Sequence, residues 1–422
     1  MLEILNDMEA SPTPYHAVDR ARFLLNGAGF ATLDLAAAFP SSPGKYLVVS
    51  GGALIAWVQP DLPVSGYGIV GAHTDSPNLR VRVNAETVSA GWAQIGIEVY
   101  GGALYNSWLD RDLGLAGRVI VRGNGGIAEV LVIDRDPILR IPQLAIHLDR
   151  DVREKGLLLD PQRHLTPLWA LSSSEGQTLR SHVGGLAGVD QDTILAWDLM
   201  AFDTQPPAVV GRDRDLFASA RIDNQVSCFA GVRALAGLEP AALPRTAVIA
   251  LYDHEEVGST SSTGAAGGFL GNVLERISAS AGADRAEHLR ALAGSIIVSA
   301  DGAHATHPNY ADRHEPSHQI IVNGGVVIKR NANQRYATDG ATEGWFRSIM
   351  ADAGLSVQTY LHRNDLPCGS TIGPLSAAEL AVPTIDVGAP MLAMHSAREL
   401  AGLNDLSDLV TALGACWASP GS

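Results

Sequence analysis

Hydrophobic and polar positions follow three different patterns along this chain. In the first, residues 16–26 carry apolar side chains at helical spacing and are followed by Gly27, Ala28 and Gly29, which predicts an amphipathic helix stopped by glycine. Short runs rich in β-branched residues come next, and they predict strands over residues 46–50, 54–58 and 67–72.

The second pattern occupies the middle of the chain. β-Branched and polar residues alternate there, for example over residues 93–99, 118–122 and 128–133, and paired glycines between such runs mark turns. We therefore predict an inserted, mainly β domain at residues 78–213. Within it, residues 172–192 are polar and glycine-rich, which favours a loop.

The third pattern begins near Leu216 and alternates strands with helices. Buried strands are predicted over residues 248–252, 296–300, 357–361 and 384–387, and helices over residues 226–236 and 344–353. This alternation is typical of an α/β fold in which helices flank a central mixed sheet. Residues 1–77 and 214–422 are expected to form that domain together.

Composition and charge narrow the function classes. The chain has 422 residues, 46% of them hydrophobic, which is enough for two or three domains with large cores. The net charge of -15 argues against nucleic acid or an anionic membrane as partner, although a local pocket can still favour an acidic substrate. No apolar run is long enough for a membrane span, and the first residues do not resemble a signal peptide. The odd, sparse set Cys228, Cys368 and Cys416 predicts free thiols in a cytoplasmic protein.

Five short segments place metal-capable side chains just after a predicted strand or at the start of a helix. They are residues 71–77 with His73 and Asp75, 221–224 with Asp223, 253–258 with Glu255 and Glu256, 299–302 with Asp301, and 393–396 with His395. Ligands of open α/β sheets bind beyond the carboxyl ends of strands, so such side chains are expected to meet at one edge. Two imidazoles, several carboxylates and a spare carboxylate are what a two-metal hydrolase needs.

Each of these residues also has a simpler interpretation. His73 alone could be a buried structural histidine, Asp223 a helix N-cap, and the glutamate pair a solvated loop. Other chemistries lack their motifs, because the sequence contains neither His-Glu-x-x-His nor Gly-x-Ser-x-Gly. Residues 66–71 match Gly-x-Gly-x-x-Gly, but they lie within a predicted strand and do not lead into a helix, so we treat the match as chance.

Taken together, the motifs resemble those of the aspartyl aminopeptidase family of two-metal metallopeptidases. The likeness begins at residues 11–16, reaches nearly to the C-terminus, and is carried by residues 71–77, 252–259, 299–310, 327–336, 365–374 and 392–399. His254, beside the glutamate pair, is a small departure. The resemblance implies a zinc-exopeptidase-like fold, an inserted dimerisation domain and a dodecamer built from dimers.

The resemblance also implies roles for single residues. His73, Asp223 and Asp301 would hold one metal ion, and Asp223 would bridge to a second ion held with Glu256 and His395. Asp75 would orient the ring of His73, and Glu255 would be the general base. Zinc is the first choice for two imidazoles, and manganese or cobalt also suit a carboxylate-rich set.

Three further residues would recognise the substrate. Lys329 ends an apolar run, where a lysine in solvent is the simpler interpretation; the resemblance makes it the ligand of the substrate carboxylate. His304 and Tyr336 would add polar contacts. Arg330, the neighbouring cation, is expected to point to the opposite face of the strand.

His147, far from every metal motif in sequence, has three interpretations: an interface histidine, a third imidazole ligand, or, by the resemblance, a residue that completes a neighbouring subunit's pocket.

The predicted activity is release of unblocked N-terminal aspartate, then glutamate, from peptides. A related two-metal amidase or deacylase and a non-catalytic, metal-stabilised assembly protein are the alternatives.

Overall fold

The computed structural model describes residues 2–123, 125–173 and 176–419. The chain forms two compact units. The first comprises Met1–Asp75, Pro207–Met394 and Glu399–Ser422, and the second comprises Ser76–Pro206 and His395–Arg398. The assignment of the first as catalytic and of the second as a dimerisation domain stays a prediction.

The first unit begins with two helices and four strands before the chain enters the second unit. These elements are α1 (Leu2–Glu9), α2 (Pro14–Gly27), β1 (Ala31–Thr32), β2 (Gly44–Ser50), β3 (Ala53–Gln59) and β4 (Tyr67–His73). The second unit contains β5 (Asn78–Ser89), β6 (Trp92–Tyr100), β7 (Leu113–Gly123), β8 (Gly126–Leu139), α3 (Val152–Lys155), α4 (Pro161–His164), β9 (Leu168–Leu171), α5 (Leu179–Ala187) and β10 (Ile194–Asp203).

The chain then returns to the first unit for the remaining elements. They are β11 (Ala208–Val210), β12 (Leu216–Ser219), α6 (Ile222–Ala236), β13 (Thr246–Tyr252), α7 (Phe269–Ser280), α8 (Arg285–Ala293), β14 (Ile296–Ala300), β15 (Ala303–His304), β16 (Val326–Arg330), α9 (Gly340–Asp352), β17 (Val357–Leu361), α10 (Ile372–Leu380), β18 (Thr384–Gly388), β19 (Pro390–Leu392), β20 (Glu399–Gly402) and α11 (Leu403–Ala418). Every strand and helix predicted above from hydrophobic pattern is present.

A nine-stranded mixed sheet forms the centre of the first unit, in the order β1-β2-β3-β13-β4-β14-β18-β16-β17. The strands β13, β4, β14 and β18 run parallel to one another, so their carboxyl ends lie at one edge. Strand β13 is buried on both faces: Ala247, Ile249 and Leu251 belong to one hydrophobic cluster, and Val248 and Ala250 belong to another. This double burial is typical of parallel strands covered by helices on both sides.

Helices α2, α6 and α11 contribute to the first of these clusters, and α7 and α10 to the second. Helix α2 begins as its sequence predicts, because the Thr13 hydroxyl accepts a hydrogen bond from the His16 N–H and Pro14 occupies the first turn. A separate five-stranded sheet, in the order β11-β12-β20-β19-β15, completes the first unit.

The second unit is built on a six-stranded antiparallel sheet in the order β8-β7-β10-β5-β6-β9, with its own hydrophobic core. The prediction of a loop over residues 172–192 is wrong for part of that segment. Residues 174 and 175 lie outside the described ranges, but α5 forms after Thr178, whose side chain accepts the Ser181 N–H. The buried Leu179 and Val183, four residues apart, anchor this helix despite the two glycines that follow.

No helix within the described ranges has the length and apolar character needed to cross a membrane.

Candidate functional site

His73, the last residue of β4, lies between two carboxylates from distant parts of the chain. Its Nε2 is 3.4 Å from Asp223 Oδ1 and 3.5 Å from Asp301 Oδ1. All three side chains are buried, and each offers a ligand atom within 4.8 Å of the others. The predicted first ligand set is therefore brought together by the fold. Asp223 has an extended backbone at the start of α6, as a helix N-cap also has, and its carboxylate lies against the imidazole.

The electrostatics of this cluster favour a cation. Burial lowers the pKa of His73, but the nearby carboxylates of Asp223, Asp301 and Asp75 outweigh burial and raise that pKa well above its usual range. Three carboxylates around one buried imidazole give the site a strong demand for positive charge. One nitrogen and two carboxylate oxygens at this spacing also fit the donor preferences of zinc.

Asp75 holds the site together in a way that the sequence did not predict. The nearest acceptor for His73 Nδ1 is the main-chain carbonyl of Asp75, at 3.0 Å, while the carboxylate Oδ1 of Asp75 is 3.5 Å away. The two carboxylate oxygens instead accept the N–H groups of Glu255 and Glu256, each at 3.1 Å. Asp75 thus connects the imidazole to the glutamate pair.

Glu255 and Glu256 begin a single 3-10 turn, Glu255–Val257, just beyond the carboxyl end of β13. Left-handed residues bracket the turn, His254 with φ 66° and Gly258 with φ 96°. Both glutamates offer an oxygen within 4.8 Å of His73. Burial and the carboxylates of Asp301, Asp223 and Asp75 together raise the pKa of Glu255 to about 7, against the opposing effect of His73. A carboxyl with this pKa can accept and return a proton near neutral pH.

Lys329 is buried, with 2% of its surface exposed, so the interpretation as a strand-end lysine in solvent is wrong. Its Nζ lies 3.4 Å from Asp301 Oδ2, donates to the Gly302 carbonyl at 3.1 Å, and is 5.3 Å from the ring centroid of Tyr336. Arg330 pairs instead with Glu343 of α9, at 3.0 Å, as expected for a residue on the other face of β16.

The remaining predicted residues lie in different places. His304 is exposed on β15, and its ring meets that of Tyr360 edge-on with centroids 5.8 Å apart. His395 belongs to the second unit, where its Nδ1 is 3.1 Å from the Gly102 carbonyl oxygen. His147 lies in an exposed turn of the second unit, and among the described residues it joins no group able to hold a metal ion.

Several residues around the ligands were missed by sequence reasoning. Glu399, buried on β20, accepts the Asp223 N–H at 3.0 Å. Asn224 donates from its side chain to the Ala300 carbonyl at 2.8 Å, and the Cys228 thiol donates to the His73 carbonyl at 2.9 Å. These are hydrogen bonds between segments far apart in sequence, so hydrophobic pattern carries no signal for them.

Known protein families and sequences resemble this chain over nearly its whole length. The family described as aminopeptidase I zinc metalloprotease (M18) matches residues 8–417. A Mycobacterium leprae protein named "Probable M18 family aminopeptidase 2" is 49% identical over 98% of this chain and 97% of its own length.

Solved structures of similar proteins have the same fold as this chain. A cryo-EM structure of an Ape4 and Nbr1 complex contains a chain that is 35% identical, with a TM-score of 0.95 over 99% of this chain and 85% of that one. A structure of the S. cerevisiae mApe1 dodecamer is 27% identical, with a TM-score of 0.86 over 98% of this chain and 95% of that one. The chain therefore belongs to the M18 family, the aspartyl aminopeptidase family of zinc metallopeptidases, and is a metal-dependent aminopeptidase.

Proposed function

We propose that this aminopeptidase removes acidic residues, aspartate and then glutamate, from the unblocked N-termini of peptides. The observation that carries the proposal is the buried ammonium of Lys329, 3.4 Å from Asp301. A buried cation beside the metal-ligand cluster is a strong partner for a carboxylate side chain at the first position of a peptide. His304 and Tyr336 would supply further polar contacts to the same residue.

The proposed metal content is two divalent ions per subunit, zinc first, with manganese or cobalt as alternatives. His73, Asp223 and Asp301 would hold one, and Asp223, Glu256 and His395 the other, with Asp223 shared. When bound, such ions lower the pKa of a water molecule and stabilise the negative charge that develops on the scissile carbonyl.

Glu255 has the proton-transfer role in this proposal. Its carboxylate takes the proton of the attacking water and then delivers it to the amine that leaves. Asp75 positions Glu255, since its carboxylate accepts the N–H of Glu255 and so fixes the start of the 3-10 turn. His147 of a neighbouring subunit would donate a hydrogen bond to the substrate, as the resemblance implies.

The proposed assembly is a homo-oligomer, a dodecamer built from dimers, in which the second unit makes the dimer contact. The dodecameric mApe1 structure supports this assembly, because its chain aligns over 98% of the present one.

The specificity proposal is tested with Lys329→Met. We expect the ratio of kcat/KM for aspartyl over leucyl substrates to fall at least about tenfold, because a charge-assisted hydrogen bond to the substrate is lost. Arg330→Met is the matched control, since it removes the adjacent cation on the opposite face of the strand. Metal content is measured for both variants.

An unchanged ratio in Lys329→Met with full metal content would refute the assignment. An N-acetyl-aminoacyl substrate is assayed in parallel, because its hydrolysis in place of free aminoacyl substrates is the expected result for a deacylase.

A further inference from the structure

A row of polar side chains crosses neighbouring strands of the nine-stranded sheet. Ser299 of β14 lies opposite Asp386 of β18 in the parallel register. On the other side of β18, Ile328 lies opposite Val387 in antiparallel register, so Lys329 and Asp386 are the next facing pair. Residues that face each other on adjacent strands project from the same side of a sheet. Asp386 therefore stands beside Lys329, on the side away from the cluster that contains Ile385 and Val387.

Asp386 is fully buried and joins three separate segments. Its Oδ1 accepts the hydroxyls of Ser299 at 2.7 Å and Thr371 at 2.6 Å. Its Oδ2 accepts the Ala337 N–H at 2.6 Å, and its own N–H donates to the Thr338 hydroxyl at 2.9 Å. The segment that follows Tyr336 is thus held to β18 at two points, one through the side chain of Asp386 and one through its backbone.

Helix α10 packs closely against this carboxylate. A Cβ at Gly373 would lie 2.3 Å from Asp386 Oδ2, so α10 can pack here only because its second residue is glycine. Burial raises the pKa of Asp386, and the charge of Lys329 opposes that effect. The two side chains are thus electrostatically coupled across the two strands.

We propose that Asp386 is a positioning residue for recognition of the acidic substrate side chain. Its charge stabilises the Lys329 ammonium from the neighbouring strand, and its hydrogen bonds hold the segment that places Tyr336 against that ammonium. Asp386 itself does not touch the substrate. The inference rests on the proposed function, because it assigns Asp386 to the recognition of the same carboxylate by Lys329.

Asp386→Asn separates charge from hydrogen bonding. The amide oxygen can still accept the Ala337 N–H, and the two hydroxyls can rotate to accept from the amide nitrogen, so chiefly the charge is lost. Ser299→Ala is the matched control, since it removes one hydrogen bond and keeps the charge. The holoenzyme of each variant is assayed with aspartyl and leucyl substrates, alongside Lys329→Met and the double variant Lys329→Met with Asp386→Asn.

We expect Asp386→Asn to lower the aspartyl-to-leucyl ratio of kcat/KM about tenfold, mainly through KM for the aspartyl substrate. Ser299→Ala is expected to keep the ratio within about threefold. The double variant should show the ratio of Lys329→Met alone, because Asp386 acts through Lys329. A purely structural role would instead lower turnover of both substrates and add to the effect of Lys329→Met.

Two outcomes would overturn the proposal. If Lys329→Met collapses the ratio while Asp386→Asn leaves it intact, Asp386 has no positioning role and the proposed function stands. If neither variant changes the ratio, the proposed function fails and this inference fails with it. If Asp386→Asn does not fold, Thr338→Val provides a second test of the proposal. It loosens the Tyr336 segment without altering the carboxylate, and an unchanged ratio there would also count against the proposal.

Discussion

Glu255 combines a fixed backbone position with a raised pKa. Its N–H is held by Asp75, so the position of its backbone is set, and burial raises its pKa to about 7. Its neighbour Glu256 is held by the other oxygen of the same Asp75 carboxylate. The two adjacent glutamates can therefore be compared directly, one as the proposed base and the other as a proposed ligand.

Glu255→Gln should remove most turnover and leave metal content close to that of the unmodified enzyme. Loss of a general base typically costs 10²–10⁴-fold in rate, so we expect kcat to fall at least about a hundredfold. Glu256→Gln is the matched variant and should lower metal occupancy instead. Metal analysis and steady-state kinetics on both proteins separate the roles. More than about a tenth of normal activity in Glu255→Gln would rule out the base assignment.

For single residues, the sequence was enough to predict candidate site residues at the ends of strands. It was not enough to predict residues that support the site through hydrogen bonds. His73 and Asp301 could be found because each follows an apolar run that reads as a strand. Asp386 could not, because it looks like one polar residue inside a buried strand. Its place beside Lys329 and its hydrogen bonds to Ser299 and Thr371 are established only in the folded sheet.

Helix α11 carries a buried carboxylate that binds the backbone of the loop directly before β16. Asp405, in the first turn of this helix, accepts the N–H groups of Asn323 at 2.6 Å and Gly325 at 3.2 Å. These residues come directly before the strand that bears Lys329. Burial raises the pKa of Asp405 to about 7, against the lowering effect of the two N–H groups.

Asp405 should make stability depend on pH. Because its pKa is higher in the folded chain than in the unfolded chain, its contribution is fully present below about pH 4 and is lost as the pH rises to about 7. We expect the free energy of unfolding to fall, relative to that of Asp405→Asn, by at most roughly 1.4 kcal/mol per pH unit across that range. Urea unfolding at pH 5, 6, 7 and 8 measures this difference.

The control for this measurement is Asp352→Asn, which removes an exposed carboxylate at the end of α9. The same comparison with the unmodified chain is made for that variant over the same pH range. A flat difference for Asp405→Asn would show that the Asp405 carboxylate does not titrate with a raised pKa.

Elements were predicted well where apolar residues repeat regularly, and poorly where packing overrides local preference. Strands β3, β4 and β13 were evident because nearly every residue in them is apolar. Helix α5 was missed because Gly184 and Gly185 lower helix propensity, while the burial of Leu179 and Val183 that compensates is a tertiary effect. The order of strands in the sheet could not be deduced from pattern at all.

For the whole molecule, the proposed assembly predicts that activity depends on contact between subunits. Glu255→Gln and His147→Ala chains should each be nearly inactive alone. Mixed under conditions of subunit exchange, some pockets would pair an intact Glu255 with an intact His147 of the neighbour. Random pairing in equal mixtures predicts recovery up to about a quarter of normal activity.

Exchange itself is followed with two distinguishable affinity tags on the two variants. Mixtures of Glu255→Gln with Glu255→Gln chains give the baseline. Proven exchange without recovery of activity would contradict the shared pocket, and so would a fully active isolated monomer.

The position of β13 between β3 and β4 has a consequence for biosynthesis. Strands β3 and β4 are consecutive in sequence, yet each pairs with β13, which is made about 180 residues after β4; at typical synthesis speeds this is a wait of roughly 10–35 s. During that interval the nascent chain carries two strongly apolar strands with open edges, and residues 76–206 of the second unit are made before either edge is closed. Unpaired apolar strand edges favour aggregation, so we expect a chaperone that covers such segments during synthesis to raise the yield of folded protein.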